Sequence, residues 1–424
     1  MRFLSHEGYS LPLIIRQDLY ADLIYLTWTD DPLTTMTIQW HTINNPNPNP
    51  EVLYRRENSK GSWSVAVGTV RDMPVSSVGR QIHWTDIKGL SPDAGYEFRF
   101  AGDSKGKVYK FKTMPENLND HPLKIATSSD SHDHYSADWF VPMTKLMGGT
   151  VAGGLDADII VGIGDFTYDN GRAGQRFTDE WIDLLKHFQD AFVNSEGYII
   201  PMIQTVGNHD TLYQVEGITA PDNAPNFKAL FAFPTQDDLP TQRPFYGRLN
   251  FGDYLQVIMI DRPWGAPVDE VTPWVRDVID DRFKHVIPFI HYQLYRYRDG
   301  VEGMSEGMIG DWEQSFIDSG VKALFDGHDH IYKRTHPIIN GEVNENGIVH
   351  FGSGAWQDVR THRHLNSEGE PIVPTTFVED FGFNNINEEK AKHFHLITLT
   401  NESIKVQAIS DKGNVNHTFE RSVL

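Results

Sequence analysis

The chain of 424 residues contains no cysteine. Disulfides, thiolate nucleophiles and cysteine zinc sites are therefore excluded. No apolar run reaches membrane-spanning length, so no membrane contact is expected. Positive charge is scarce: 37 lysines and arginines stand against 58 aspartates and glutamates, a net charge of −21. A surface for long nucleic acid or an anionic membrane is not expected, although bound metal can make one site locally cationic. There is no Gly-x-Ser-x-Gly turn, no phosphate-cradling glycine-rich loop, no internal repeat and no low-complexity tract. Met1 to Ser10 carries one arginine and no apolar core, so no signal peptide is visible. Cytoplasmic residence is the plain expectation, or a periplasmic or secreted one if a signal has been trimmed.

What is present falls into two compositional parts. From about Leu19 to Thr113, short runs alternate apolar and polar residues: Met36, Ile38 and Trp40; Trp63, Val65 and Val67; Tyr96, Phe98 and Phe100. Period two, broken by Asn/Pro/Gly clusters such as Asn44 to Pro50, predicts an all-β sandwich. Pro115 to Pro122 reads as a linker. Residues 119–424 then alternate strand and helix patterns, which predicts an α/β domain. Strands are expected at Lys124–Ser128, Asp156–Ile163, Pro201–Val206, Leu255–Ile260, His285–Ile290, Val321–Phe325, Ile348–Phe351 and Phe394–Leu399. Helices are expected at Trp139–Met147, from Thr178 as N-cap through Phe192, at Trp274–Ile279, and from Ile309 to a stop at Gly320.

Five of these strands end in residues of ligand type. They are Asp130-Ser131-His132, Gly164-Asp165, Gly207-Asn208-His209, His291 and Gly327-His328-Asp329-His330. Singly, an Asp or Asn after a strand is an ordinary turn residue. Together they put carboxylate, amide and imidazole at one structural position five times over. Those donors suit Zn²⁺, Mn²⁺ and iron. Asp165 ends a strand buried on both faces, and its two oxygens could bridge two cations.

The order D-x-H, G-D, G-N-H-D, lone His and G-H-x-H resembles the calcineurin-like metallophosphoesterase superfamily. Gly164-Asp165-Phe166-Thr167-Tyr168 and Gly327 to Arg334 resemble the purple acid phosphatases within it. The front module, residues 1–118, is similar to the fibronectin type III-like domain of those enzymes. The resemblance implies a four-layer α/β/β/α metallophosphoesterase domain over residues 119–424. It implies one metal on Asp130, Asp165, Tyr168 and His330, and a second on Asp165, Asn208, His291 and His328. His209 would stand behind the ligands, near the substrate phosphate.

Three departures from the family pattern matter. His132 stands where purple acid phosphatases usually carry glycine, so His132, Tyr168 or both could hold the first metal. The adjacent histidine pair expected near Gly300-Val301 is missing, which leaves His134, His350 and His362 as substitutes for the leaving-group acid. Arg172 lies close in sequence and could clamp a phosphate oxygen. The implied activity is hydrolysis of small phosphate monoesters, with a hydroxide held by the metals as nucleophile. The implied ions are Fe(III) with Zn, Mn or Fe(II), or two divalent ions. A phosphodiesterase or nucleotide hydrolase on the same fold, and an inactive binding relative, are the alternatives.

Overall fold

The structure is a computed structural model. It describes residues 21–44, 50–103, 106–132, 140–212, 223–234, 245–260, 268–298, 301–304, 309–330, 332–353, 356 and 392–423. The alternating front runs form β1 (Leu23–Thr27), β2 (Met36–Ile43), β3 (Glu51–Arg56), β4 (Ser64–Val67), β5 (Thr69–Asp72), β6 (Arg80–Ile87), β7 (Gly95–Phe100) and β8 (Tyr109–Lys112). They pair antiparallel as two sheets, ordered β1-β2-β6-β5 and β4-β3-β7-β8. Met36, Ile38 and Trp40 pack inward with Phe98 and Phe100.

Two details depart from simple alternation. The polar face of β2 is also buried, including Thr37, Gln39 and His41. It lies against the second domain: Gln39 Nε2 donates to the Leu230 carbonyl at 2.6 Å and Gln39 Oε1 accepts from Ala232 N–H at 3.2 Å. A polar strand face is thereby paired rather than solvated. On the short edge strand β4, Val65 and Val67 are 54% and 66% exposed. Trp63 is covered instead by the guanidinium groups of Arg55 and Arg99, 4.3 and 4.6 Å from its ring.

The second part runs β9 (Leu123–Ser128), α1 (Phe140–Met147), β10 (Ile159–Ile163), α2 (Gln175–Ala191), β11 (Met202–Thr205), α3 (Pro225–Leu230), β12 (Gly247–Phe251), β13 (Leu255–Ile260), α4 (Val268–Val278) and β14 (His285–Ile290). It continues with β15 (Tyr295–Arg298), β16 (Val301–Met304), α5 (Ile309–Asp318), β17 (Ala323–Asp326), β18 (Tyr332–Arg334), β19 (Ile338–Ile339), β20 (Glu342–Val343), β21 (Val349–Ser353), β22 (His393–Leu399), β23 (Ser403–Ser410) and β24 (Val415–Ser422). Two six-stranded sheets result, β11-β10-β9-β22-β23-β24 and β12-β13-β14-β17-β21-β18. Strands β9, β10 and β11 are parallel, as are β13, β14, β17 and β21.

The sheets pack face to face through residues such as Ile125, Val161 and Ile397 of the first and Val257, Phe289 and Phe325 of the second. Helices α1 and α2 cover the outer face of the first sheet through Met143, Trp181, Leu185 and Phe188. Helices α4 and α5 cover the second through Trp274, Val275, Trp312 and Phe316. The result is the expected four-layer α/β/β/α sandwich behind an all-β domain.

Boundaries differ in two helices. Helix α2 starts at Gln175, so Thr178 lies inside it, buried, with its hydroxyl donating to the Val75 carbonyl at 2.7 Å. Its side chain ties the helix to the front domain rather than capping it. Helix α4 starts at Val268 and contains Pro273, a residue that usually argues against a helix interior. Gly320, at φ +73°, ends α5 as its sequence position suggests.

Candidate metal centre

The ligand-type residues all follow C-terminal ends of parallel strands, where an open α/β sheet faces its crevice. The first sheet brings Asp130 and His132 after β9, Asp165 and Tyr168 after β10, and Asn208 and His209 after β11. The second sheet brings His291 after β14, then His328 and His330 after β17. Asp130, Asp165, His328 and His330 have φ of 59°, 53°, 69° and 56°. Non-glycine residues hold this left-handed region where surroundings over-determine them. Here Asp130 N–H donates to the Gly164 carbonyl and His132 N–H to the Asp165 carbonyl, each at 3.1 Å. Gly207 lets the turns meet, since a Cβ there would lie 2.2 Å from Asp165 N and Oδ1.

Two groups of donors form, and Asp165 belongs to both. The donor atoms of Asp130, His132, Asp165 and His330 lie within 4.8 Å of one another, as do those of Asp165, His291 and His328. In the first group, His330 Nε2 is 3.2 Å from Asp130 Oδ1 and 3.2 Å from His132 Nε2. His132 Nε2 is 3.7 Å from Asp165 Oδ2. In the second, His291 Nε2 is 3.2 Å from Asp165 Oδ2. Asn208 joins it, with Oδ1 2.7 Å from His328 Nδ1 and 3.2 Å from His291 Nε2.

Asp130 Oδ1 and Asp165 Oδ2 are buried and make no hydrogen bond among the described residues. Buried anionic oxygens and imidazole nitrogens thus converge on shared points, an arrangement that is costly without a cation. The donor set fits a metal, and oxygen with imidazole suits Zn, Mn and iron. Burial pushes the His132 and His328 imidazoles down, to about 3 and about 4, which keeps them neutral. Burial would do the same to His291, but the Asp165 charge 3.2 Å away raises it to about 10. Burial works to raise the Asp165 carboxyl, yet His291 holds it well below the usual carboxylate range. His291 Nδ1–H donates to the Ile163 carbonyl at 2.6 Å, which turns Nε2 toward the carboxylates.

His209 stands behind the donors. Its backbone N–H donates to Asp165 Oδ1 at 2.7 Å, and its Nδ1–H donates to Asn170 Oδ1 at 2.8 Å. The Tyr168 ring lies between two imidazoles, 4.0 Å from His132 and 4.3 Å from His209 between centroids. His350 is fully buried within β21 against Tyr295, which puts it out of a substrate's reach. His134, His362 and Gly300 lie outside the described residues. Arg172 is exposed; its Nε donates to the Asp169 carbonyl at 2.9 Å and its guanidinium lies 4.8 Å over Phe177.

Several supporting residues escaped the sequence reading. Asp210 is buried and accepts from the backbone N–H of Asp165, Phe166, Thr167 and Gly207, at 2.8, 2.9, 3.3 and 2.9 Å. It stitches the β10 and β11 turns together. Asp169 accepts from Gly171 N–H, Trp181 Nε1 and Asn226 Nδ2, tying the same turn to α2 and α3. Lys333, fully buried, pairs with Asp326 at 2.9 Å and Asp329 at 3.5 Å beneath the His328–His330 turn. A lysine three residues past an expected ligand was the available signal, since an apolar position there would be unremarkable.

A four-layer sandwich with acids and imidazoles at its strand ends defines a metallophosphoesterase. Residues 21–113 match the purple acid phosphatase N-terminal domain family, and residues 123–332 match the calcineurin-like phosphoesterase family. The chain therefore carries a calcineurin-like phosphoesterase domain, of the kind found in phosphoric ester hydrolases, behind a front domain of purple acid phosphatase type.

Among similar proteins, purple acid phosphatase 15 of Arabidopsis thaliana is 23% identical over 327 residues, 70% of this chain and 57% of that protein. Acid phosphatase type 7 of Mus musculus is 23% identical over 429 residues, 89% of this chain and 87% of that one. Of solved structures, purple acid phosphatase PPD1 from yellow lupin (Lupinus luteus) seeds has a TM-score of 0.71 at 16% identity, covering 94% of this chain and 74% of that one. PhoD has a TM-score of 0.64 at 11% identity, covering 94% and 90%. At such identities the two structures share the fold.

Proposed function

We propose that this chain hydrolyses small phosphate monoesters with two metal ions. The observation that carries the reading is the sharing of Asp165 between both donor groups. One ion would rest on Asp130, His132, Asp165 and His330, with Tyr168 beside them. The other would rest on Asp165, Asn208, His291 and His328. When bound, such a pair supplies a nucleophile near neutral pH and neutralises the phosphate oxygens.

The chain's own residues position the rest. Asn170 Nδ2 donates to the Tyr168 carbonyl at 3.1 Å, so Oδ1 is the atom that faces His209. That fixes the proton on His209 Nδ1, and exchange with a phosphate or leaving oxygen runs through Nε2. The two imidazoles of the first group would favour divalent ions, whereas a Tyr168 phenolate would favour Fe(III).

The test is metal analysis of the purified protein together with turnover of p-nitrophenyl phosphate and bis-p-nitrophenyl phosphate, before and after chelation. Monoester turnover that is lost with the chelator and restored by added metal is expected. Diester turnover alone would make the chain a phosphodiesterase on the same fold. Metal retention without any turnover would make it a binding relative. A visible charge-transfer band that Tyr168→Phe abolishes would assign Tyr168 and Fe(III) to the first position.

A further inference from the structure

Beside the second donor group stands an aromatic ring that phosphate chemistry does not require. Tyr292 follows His291 directly. Its ring centroid lies 4.5 Å from that of His328, tilted by 36°. His291 itself meets His328 edge-on at 5.5 Å. One strand end therefore delivers both an expected ligand and a ring that rests on another expected ligand. Tyr292 is half-buried, so part of the residue reaches solvent. The tyrosine on the opposite flank is placed differently: Tyr168 has an imidazole on either side of it.

We propose that Tyr292 is a specificity-determining residue that receives a planar aromatic group on the leaving side of the ester. The inference rests on the phosphomonoesterase reading above. A phosphate drawn to ions resting on Asp165 and His328 would bring its leaving group near the ring that lies on His328. An aromatic group there gains offset stacking on Tyr292, and an aliphatic alcohol does not. Stacking of this kind tolerates many ring types, so the class is set by planarity rather than by hydrogen-bond pattern. The aromatic group could be bonded at the ester oxygen, as in an aryl phosphate, or carried one sugar away, as in a nucleotide.

The experiment compares kcat/KM for p-nitrophenyl phosphate, adenosine 5′-monophosphate and glycerol 2-phosphate in the wild type, Tyr292→Phe and Tyr292→Ala, with metal content measured for each. Tyr292→Ala is expected to lose about tenfold on an aromatic ester and less than twofold on glycerol 2-phosphate. Tyr292→Phe is expected to match the wild type on all three. A selective loss on p-nitrophenyl phosphate alone assigns an aryl ester, and one on the nucleotide alone assigns a nucleotide. An equal loss on all substrates would overturn the inference and leave Tyr292 as a support for His328. Loss in Tyr292→Phe as well would overturn it in favour of a hydroxyl contact. A metal-loaded wild type inactive on every ester would sink the hydrolase reading and this inference together.

Discussion

Burial has opposite outcomes for two front-domain histidines and for His291 of the second domain. In the front domain, His41 donates from Nε2 to the Tyr25 hydroxyl at 3.0 Å, and that hydroxyl donates to the Leu230 carbonyl at 2.5 Å. His83 stacks on Trp40 at 5.1 Å with Nε2 2.8 Å from Thr42 Oγ1. Burial pushes His41 well below its ordinary range, helped by the like charge of Arg80, and takes His83 down to about 4. These imidazoles are neutral packing units with a hydroxyl partner. In the second domain His291 is as deeply buried, yet Asp165 raises it to about 10. Burial makes an imidazole neutral filler; burial against converging carboxylates makes it part of a cation site. The residue type alone does not distinguish the two cases.

The sharpest way to break that contrast is to remove the shared carboxylate charge. Asp165→Asn is expected to cost about 10⁴-fold or more in kcat/KM, because several kcal/mol of charge stabilisation goes with the ions. Metal analysis should show both ions depleted. His83→Phe, made in parallel, should keep metal and turnover. Wild-type activity with metals retained in Asp165→Asn would remove the shared position from the argument.

A smaller loss separates ligands from the residue behind them. His209→Ala should keep its metals and lose about 10²–10³-fold in kcat, the range for a proton-transfer or phosphate contact. Its backbone bond to Asp165 Oδ1 survives the substitution, so the carboxylate stays oriented. Metal content that falls in step with activity would move His209 among the ligands.

The same contrast explains what the sequence could reveal. Strand ends were legible because expected donors close buried apolar runs, as His291 does after β14. The four-layer architecture followed from the family order of motifs rather than from periodicity. Short, partly polar strands such as β15, β16, β18 and β20 carry no such signal. Helix α4 was cut short by Pro273, and α2 was entered late because Thr178 looked like a cap while serving a contact from another domain. Supporting residues such as Asp210 and Asn170 were hidden for a related reason. Their partners are backbone groups and side chains far away in the chain, and a turn Asp or Asn looks the same whatever it holds.

Acid should act on the front domain through its buried imidazoles. The unfolded chain binds a proton on His83 near 6.5, while the folded ring resists until about 4. Between those values the unfolded state holds more protons, so stability falls as pH drops from 6.5 toward 4. Below 4 this contribution stops changing. His83→Phe should therefore lose less Tm between pH 7 and pH 5 than the wild type, by roughly 2–4 °C. Thermal melts of the two proteins at both pH values check it, and equal losses would show that His83 takes up its proton without unfolding.

The smallest effect is expected at Arg172, the one cation that sequence proximity placed beside the phosphate. Its position in the fold resembles that of the front-domain histidines: the polar group already has a role. Nε donates to the Asp169 carbonyl, and the guanidinium lies over Phe177. An exposed cation–π contact of this kind is worth about 0.5–1 kcal/mol, a local matter for the loop that precedes α2. The turn has other anchors that do not use the Arg172 side chain. Asn226 Nδ2 donates to the Arg172 carbonyl at 3.0 Å and to Asp169 Oδ2 at 2.8 Å. Arg172→Ala should consequently leave kcat/KM for p-nitrophenyl phosphate within about twofold of the wild type, because exposed side chains away from a site contribute little. Steady-state kinetics at saturating metal is the measurement. A rise in KM of tenfold or more with kcat unchanged would mean that the guanidinium leaves Phe177 to hold the phosphate, and would bring Arg172 into the substrate site.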